Sequence, residues 1–310
     1  MTDQRRIVVF GGSGFIGRHV VERLRLDGWR VRVAARHPER LAFAMSKDGG
    51  DRVEAVRADI AGDPAAVEAA VDGAEAVANL VGILYERGRQ SFERIHVDAA
   101  GRLGMIAAAA GARRFIHISA LGAAATSPSA YARSKATGEI VVRRTFPPAT
   151  IFRPSIVIGP GDHFFNRFAR MARYSPALPL IGGGNTRFQP VYVGDVAAAL
   201  ATALRDPATQ GRNYELVGPR TYTFRELMML MLVETHRTRL LVSLPFPIAR
   251  MEAGLLELLP RPPLTRDQVK QLARDNIATP EAPGMRDLGL VQTPIESVLS
   301  AYLASAPPAL

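Results

Sequence analysis

Tyr131 and Lys135 are the residues of this sequence whose types and spacing most directly suggest catalysis. Residues four apart in a helix lie on one face, so a helix here makes the phenol and the ammonium neighbours. A neighbouring ammonium lowers the pKa of a phenol, which lets a tyrosine act as a general acid or base near neutral pH. The same lysine could hold the hydroxyls of a nicotinamide ribose. The alternative is that Tyr131 and Lys135 are only an exposed pair on a helix surface. Because the chain has only three lysines, a lysine at this position favours the functional interpretation.

A glycine-rich segment precedes this pair by more than a hundred residues: it reads Gly11-Gly12-Ser13-Gly14-Phe15-Ile16-Gly17. It follows an apolar run and opens a predicted helix, with three of its glycines spaced three apart. A dinucleotide site needs a tight turn, close approach of the backbone to a diphosphate and a helix packed on its strand, and glycines meet all three needs. A flexible turn is the alternative, and the strand–turn–helix context favours the nucleotide site.

Arg36 follows the second predicted strand, where a dinucleotide-binding protein reads the adenine ribose. An acid at this place favours NAD, and an arginine can pair with the 2′-phosphate of NADP. The sequence therefore predicts NADPH, with NADH as the less favoured cofactor and a solvated surface arginine as the alternative. Asp59 and Ile60 are predicted to meet the adenine, and Asn79 and Gly82 to lie beside the middle of the cofactor.

The elements that must position these residues alternate short apolar runs with helical patterns, which predicts an α/β fold with a doubly wound parallel sheet. A smaller, mostly helical lobe follows. The predicted domains are residues 1–160, with 188–218 returning to them, and a C-terminal lobe of 161–187 and 219–310. The predicted strands are 7–10, 30–35, 53–58, 76–81, 115–119, 150–158, 188–193 and 213–217. The predicted helices are 15–27, 64–71, 91–110, 131–144 and 195–204.

The composition is that of a globular protein: of 310 residues, 47% are hydrophobic and 22% are charged. The absence of cysteine excludes disulfides, thiolate metal sites and cysteine nucleophiles. The six histidines show no metal-ligand spacing, and no metal site is predicted. A net charge of +10 allows acidic partners, but the arginines lack interleaved aromatic residues, so no nucleic acid is expected. We expect neither a signal peptide nor a membrane-spanning segment.

These motifs resemble the extended and atypical short-chain dehydrogenase/reductases. The resemblance implies that Tyr131 and Lys135 are the catalytic pair and that Pro154 borders the nicotinamide. The family also uses a serine or threonine after the fifth strand, where Ser119 is the only hydroxyl nearby. If the position of that serine or threonine corresponds to Ala120 instead, the catalytic triad of tyrosine, lysine and hydroxyl residue is incomplete. A second departure is His96, at the place where many members of the family carry a helix asparagine.

Six further motifs are spread over nearly the whole chain: NLVG from Asn79, FIHISALGA from Phe115, SAYARSKATGE from Ser129, FQPVYVGDV from Phe188, LTRDQV from Leu264 and PGMRDLGLVQTPIE from Pro283. Together they resemble the family of the ninth alpha-subcomplex subunit of respiratory complex I and its bacterial relatives. This resemblance implies tightly held NADPH, a mainly structural or assembly role, and complex I subunits as partners. It also implies a cytoplasmic location, peripheral to the inner membrane on its cytoplasmic side (the matrix side in an organelle). Two alternatives stay open: a free-standing NADPH-dependent reductase, dehydrogenase or epimerase using Tyr131 and Lys135, and a nucleotide-sensing regulator.

Residues 240–264 offer a physical basis for a location next to a membrane. An apolar stripe at helical spacing includes Met251 and Leu255 and continues to Leu258 and Leu259. Such a helix could contact membrane lipid or dock on a hydrophobic subunit. The alternative is a lid packed over the cofactor cleft.

Overall fold

Seven parallel strands form the central sheet of the computed structural model, which describes residues 5–41 and 52–303. Their spatial order is β11-β6-β5-β4-β1-β2-β3, and every neighbouring pair is parallel. The predicted doubly wound α/β fold is therefore confirmed. The strands of this sheet are β1 (Arg6–Phe10), β2 (Arg30–Ala35), β3 (Val53–Arg57), β4 (Ala76–Asn79), β5 (Arg114–Ile118), β6 (Thr150–Pro154) and β11 (Asn213–Leu216). The short strands outside it are β7 (Val157–Ile158), β8 (Ala177–Ile181), β9 (Arg187–Phe188), β10 (Val191–Tyr192), β12 (Tyr222–Thr223) and β13 (Leu240–Leu244).

Helices cover both faces of the sheet, which is why its central strands β1 and β4 are buried along nearly their whole length. On one face, Ile7 and Val9 of β1 share a buried cluster with α1 and α6. On the other face, Val8 and Phe10 pack with α2, α3 and α4. The α-helices are α1 (Phe15–Leu26), α2 (Pro64–Val71), α3 (Ala99–Ala109), α4 (Ala130–Thr145), α5 (Phe165–Tyr174), α6 (Val193–Arg205), α7 (Phe224–Glu234), α8 (Phe246–Leu256), α9 (Arg266–Leu272) and α10 (Glu296–Leu303).

Three predicted elements differ from the structure. The predicted strand 150–158 is divided into β6, which belongs to the central sheet, and β7, which pairs with β10 outside it. The predicted helix 91–110 begins as a π-helical turn, Glu93–Asp98, before α3. The predicted strand 188–193 is two short strands, β9 and β10, which pair with β12 and β7 rather than with the central sheet. Residues 213–216 do join the central sheet, beside β6. The division of the chain into two domains stays a prediction.

The segment after residue 264 is held to the rest of the chain by buried carboxylates. Each accepts a hydrogen bond from a hydroxyl of that segment, at 2.7–3.0 Å. Buried carboxylates need such donors, because an unpaired charge away from water is costly. The C-terminal segment is thereby part of the framework of the sheet and its loops. The pairs are Glu215 with Thr279, Asp195 with Thr293, and Asp162 with Tyr302.

Candidate functional site

The turn between β1 and α1 leaves the start of the helix open. Gly11 has a φ of +82°, and a Cβ there would lie 3.0 Å from the carbonyl carbon of Leu80. A Cβ on Gly17 would collide with the carbonyl oxygen of Gly11. Gly14 is the N-cap of α1; no described side chain caps the helix, and its first turn holds no acid. The first backbone N–H groups of α1 are thus left for an anion, and this arrangement fits the diphosphate of a dinucleotide.

The other predicted cofactor residues of the glycine turn differ in their exposure. Ser13 is exposed, Gly12 is buried, and the side chains of Phe15 and Ile16 are half-buried. A Cβ on Gly12 would lie 2.7 Å from a methyl group of Val33, so this position also needs a glycine. The turn is therefore built by close packing on β2 as well as on β4.

The residues predicted to meet the adenosine end follow β2 and β3 at the same edge of the sheet. The side chain of Arg36 is exposed and makes no hydrogen bond or ion pair with the described residues. Asp59 is half-buried and its Oδ1 accepts from the N–H of Ala61 at 3.0 Å, which leaves its second oxygen available. Ile60 is buried, and its carbonyl accepts from Arg102 at 2.6 Å. The contact of Arg36 with a phosphate stays a prediction.

Asn79 ends β4 and organises the loop that follows. Its Oδ1 accepts from the N–H of Val81 at 3.1 Å, and its Nδ2 donates to Nδ1 of His117 at 3.2 Å. Three residues on, Gly82 is exposed, and a Cβ there would lie 3.6 Å from Nε2 of His96 and 3.9 Å from Nζ of Lys135. The loop backbone thereby passes beside the lysine of the predicted catalytic pair.

Tyr131 and Lys135 lie on the first turns of α4, as predicted, but their protonation differs from the prediction. Nζ of Lys135 is buried and donates to the carbonyl of Ile118 at 2.7 Å, and burial lowers the pKa of Lys135 to about 8. Burial raises the pKa of Tyr131 to about 12. The expectation that the ammonium lowers the phenol pKa is wrong for this structure, because desolvation of the phenol determines the direction.

His96 links the loop after β4 to the backbone of Tyr131. Its Nε2 accepts from the N–H of Ile83 at 3.0 Å, which assigns the proton to Nδ1. Nδ1 then donates to Oγ of Ser134 at 2.8 Å, and that hydroxyl donates to the carbonyl of Tyr131 at 2.8 Å. Burial, followed by the charge of Lys135, lowers the pKa of His96 to about 3. The sequence analysis noted His96 only as a departure from the family and did not predict these hydrogen bonds. The one residue that could have indicated them is Ser134, a hydroxyl between Tyr131 and Lys135 in the motif.

Ser119 and His117 carry polar atoms that are buried without a partner among the described residues. Ser119 is 4% exposed, and its Oγ makes no hydrogen bond there; Nε2 of His117 makes none either. An unpaired buried polar atom costs free energy, and such atoms collect at functional sites. Ala120 is half-buried, and Pro154 is buried with its carbonyl accepting from Leu121 at 2.9 Å. The role of Ser119 as a catalytic hydroxyl stays a prediction, and its unpaired buried Oγ is consistent with it.

A buried ion pair lies one turn beyond Lys135 on α4. Glu139 is 6% exposed and binds Arg153 of β6 through two hydrogen bonds of 2.9 and 2.6 Å. The carboxylate opposes the effect of burial on Lys135 by raising the pKa of its amine. Hydrogen bonding to Glu139 raises the pKa of Arg153. The pair therefore supports the positive charge of Lys135.

The structure thus gathers the predicted residues in two groups at the carboxyl edge of the parallel strands, where ligands of such sheets bind. Tyr131, Lys135 and Gly82 form one group with His96, beside the end of β4. The glycine turn, Arg36 and Asp59 form the other group, at β1, β2 and β3. In the described ranges no helix is long and apolar enough to cross a membrane.

Comparison with known proteins confirms the family resemblance. The family model described as "NAD dependent epimerase/dehydratase family" matches residues 7–217. The chain is 37% identical over 295 residues to the Arabidopsis thaliana protein named NADH dehydrogenase [ubiquinone] 1 alpha subcomplex subunit 9, mitochondrial, covering 91% of this chain and 73% of that protein. It is also 37% identical over 228 residues to a protein of Caulobacter vibrioides named ceramide reductase, covering 73% of this chain and 70% of that one.

Solved structures share the fold at low sequence identity. The crystal structure of the Citrobacter sp. triphenylmethane reductase complexed with NADP(H) superposes with a TM-score of 0.75 at 19% identity. The match covers 96% of this chain and 99% of that one. The shared fold therefore includes residues beyond the central sheet.

Proposed function

Because this chain belongs to the NAD-dependent epimerase/dehydratase family, we propose that it binds NADPH and serves as a mainly structural or assembly component of respiratory complex I. The observation that carries the nucleotide part is the uncapped start of α1 behind a turn where Gly11 and Gly17 leave no room for a Cβ. The similarity to the Arabidopsis thaliana subunit over 91% of the chain supports the complex I part.

The cofactor is tested by identifying the nucleotide that the purified protein carries. The protein is denatured, and the released nucleotide is identified by chromatography and mass spectrometry. We expect NADPH or NADP. Protein that emerges empty and binds no pyridine nucleotide on addition would refute the proposed function.

Arg36 is the residue proposed to select NADPH over NADH, since its exposed guanidinium follows β2 without a partner among the described residues. Arg36→Ala should weaken NADPH binding far more than NADH binding. Arg30→Ala is the matched control, because Arg30 is equally exposed at the opposite end of the same strand. Equal losses for the two nucleotides would contradict the assignment of Arg36.

Membership in complex I is tested in the cell that makes the protein. The complex is isolated from membranes in mild detergent, and the chain is expected to co-purify with it. If the chain is consistently absent from the isolated complex, this part of the proposal is refuted. A dinucleotide whose concentration is far above its dissociation constant stabilises the folded chain by several kcal/mol. A cofactor can therefore stabilise a structural subunit without any turnover.

We place the contact with membrane lipid, or with a hydrophobic subunit, at the apolar face of α8 and the turn after it. Met251, Leu255 and Leu258 are 65%, 66% and 83% exposed. The buried side of α8 is limited to Ala249 and Ala253. The exposure of this stripe supports a contact with a partner surface over the alternative of a lid on the cofactor cleft. Such a face suits a peripheral location on the cytoplasmic side of a membrane, or the matrix side in an organelle.

Vesicle sedimentation tests the lipid contact. Leu255→Glu should reduce binding of the protein to vesicles, because a charge replaces apolar area at the interface. Val291→Glu is the control, since Val291 is 91% exposed but lies outside the apolar face. Equal effects of the two variants would exclude a specific contact through α8.

The second candidate function is a free-standing NADPH-dependent reductase, and the unpartnered Oγ of Ser119 favours it. Bound NADPH would supply the hydride. Ser119 would donate a hydrogen bond to the carbonyl oxygen of the substrate, and the Tyr131 hydroxyl would give that oxygen its proton. Lys135 would hold the nicotinamide ribose. The similarity to the Caulobacter vibrioides protein makes carbonyl compounds the class to test.

Oxidation of NADPH in the presence of carbonyl compounds tests this candidate. Tyr131→Phe should abolish turnover and leave NADPH affinity nearly unchanged, because only the proton donor is lost. Turnover that survives Tyr131→Phe would refute the role of the phenol.

A further inference from the structure

The helix that carries Tyr131 and Lys135 begins against a carboxylate from the C-terminal lobe. Asp267 accepts from Oγ of Ser129 at 2.7 Å, from the N–H of Ala130 at 2.7 Å and from the N–H of Tyr131 at 3.2 Å. Gln271, on the same helix as Asp267, also donates to the carboxylate at 3.3 Å. The contact joins residues 136 to 138 positions apart in the chain.

The position of Asp267 is itself fixed. It lies on the first turn of α9, whose start is closed by a capping box between Thr265 and Gln268. The preceding residue, Arg266, is anchored to Glu257, just after α8, at 2.8 Å. Val269 packs the same helix against α8. Because α9 is short and anchored in these ways, the Asp267 carboxylate can hold the start of α4 in a fixed position.

The carboxylate suits the start of α4 in charge and in hydrogen bonding. The first N–H groups of a helix have no partner within the helix, and its dipole favours an anion there. Asp267 binds two of those groups, and the carbonyl of Tyr131 accepts from Ser134. The backbone of Tyr131 is thereby fixed on both sides of the residue.

We propose that Asp267 is a positioning residue that fixes the start of α4, so that Tyr131 and Lys135 meet the nicotinamide half of the bound dinucleotide. The proposal rests on the proposed nucleotide function and assigns to the C-terminal lobe a role in the cofactor site. It requires Asp267 to influence the nicotinamide half and not the adenosine half, which lies at the glycine turn and Arg36.

The test compares two ligands that share the adenosine half: NADPH, and adenosine 2′,5′-bisphosphate, which lacks the nicotinamide. Affinities of the full-length protein for both are measured by calorimetry. Asp267→Ala should weaken NADPH by up to about tenfold, as expected for the loss of a helix cap, and leave the bisphosphate unchanged. Asp267→Asn should lose less, because its amide oxygen can still accept from one of the two N–H groups.

Asp195→Asn is the matched control. Asp195 also binds the C-terminal segment, from α6, through the N–H and the hydroxyl of Thr293 at 2.7 Å each, and among the described residues no hydrogen bond joins it to α4. This variant should lower the thermal midpoint and leave the ratio of the two affinities unchanged. The ratio therefore separates positioning of the nicotinamide half from a general loss of stability.

Four outcomes would overturn the proposal. NADPH affinity that is unchanged in Asp267→Ala refutes it, and so does an equal loss for both ligands. If Asp195→Asn changes the ratio as much as Asp267→Ala does, the effect belongs to the whole C-terminal segment. If the wild-type protein binds neither ligand, the nucleotide function itself fails and the positioning role falls with it.

Discussion

Replacing His96 tests the arrangement at the start of α4 through the dependence of stability on pH. His96 is 1% exposed, and burial followed by the charge of Lys135 lowers its pKa from 6.5 to about 3. In the unfolded chain the ring takes up a proton as the pH falls through 6.5, and in the folded chain it stays neutral until about pH 3. Stability conferred by the neutral ring is therefore present above pH 6.5 and is lost as the pH falls toward 3.

The size of the effect follows from the same pKa values. Between about pH 7 and about pH 5, proton uptake by the unfolded chain at this one ring lowers the free energy of unfolding by about 2 kcal/mol. Burial also lowers the pKa of His117, so that ring acts in the same direction in the wild-type protein. His96→Gln removes one ring and should reduce the loss by about 2 kcal/mol. Its side chain can keep an acceptor for Ile83 and a donor for Ser134.

Urea unfolding at both pH values, followed by circular dichroism, measures the effect. Ser134→Ala is the control: it removes the partner of Nδ1 but leaves the ring buried, so it should lower stability while keeping the wild-type pH dependence. The reasoning is refuted if His96→Gln and wild type lose the same free energy on acidification. That result would mean that the ring is already protonated, or exposed to solvent, at about pH 5.

The remaining predictions concern the glycine turn and the buried ion pair. Gly17→Ala should cost about 2 kcal/mol and abolish nucleotide binding, because its Cβ would meet backbone atoms of Gly11 that cannot move aside. In Gly254→Ala the new methyl group would meet only Arg266, at 3.7 Å, so this helical control should stabilise the protein by about 0.5 kcal/mol; equal effects in thermal unfolding would exclude the packing argument. Glu139→Gln should cost about 2 kcal/mol or more, because it leaves Arg153 partly buried without its partner. It should also lower the pKa of Lys135 further. Glu22→Gln, at an exposed pair with Arg25, should cost about 0.5 kcal/mol or less in the same urea titration.

Local patterns were enough to predict the central sheet and the turn after β1. The apolar strands and the glycine spacing are determined by neighbouring residues, and the structure places both where they were expected. The Tyr131–Lys135 spacing likewise predicts a shared helix face. The pKa of Tyr131 could not be predicted from that spacing, because it depends on burial by Phe92 and His96, whose rings lie 5.8 and 5.5 Å away.

The π-helical turn and the role of Asp267 arise from contacts that sequence patterns do not encode. The turn brings His96 between Ile83 and Ser134, and a Cβ on Gly138 would collide with the His96 carbonyl. Asp267 lies in the LTRDQV motif, which the sequence analysis used only as evidence of family resemblance and to which it assigned no role. Its partner, the start of α4, is more than a hundred residues away, and no periodicity relates the two. Long-range polar contacts of this kind become visible only in the folded chain.

The protonation of the site bears on which of the two proposed functions the chain can perform. A phenol with a pKa of about 12 stays protonated at neutral pH, so Tyr131 is in the form that gives a proton and not in the form that takes one. Reduction of a carbonyl needs a proton donor beside the hydride source, whereas oxidation of an alcohol needs a base. In the proposed reductase function, a protonated Tyr131 therefore suits reduction of a carbonyl compound and not oxidation of an alcohol. A structural subunit needs no such donor, so the buried Oγ of Ser119, which has no hydrogen-bond partner among the described residues, is the feature that a purely structural role leaves unexplained.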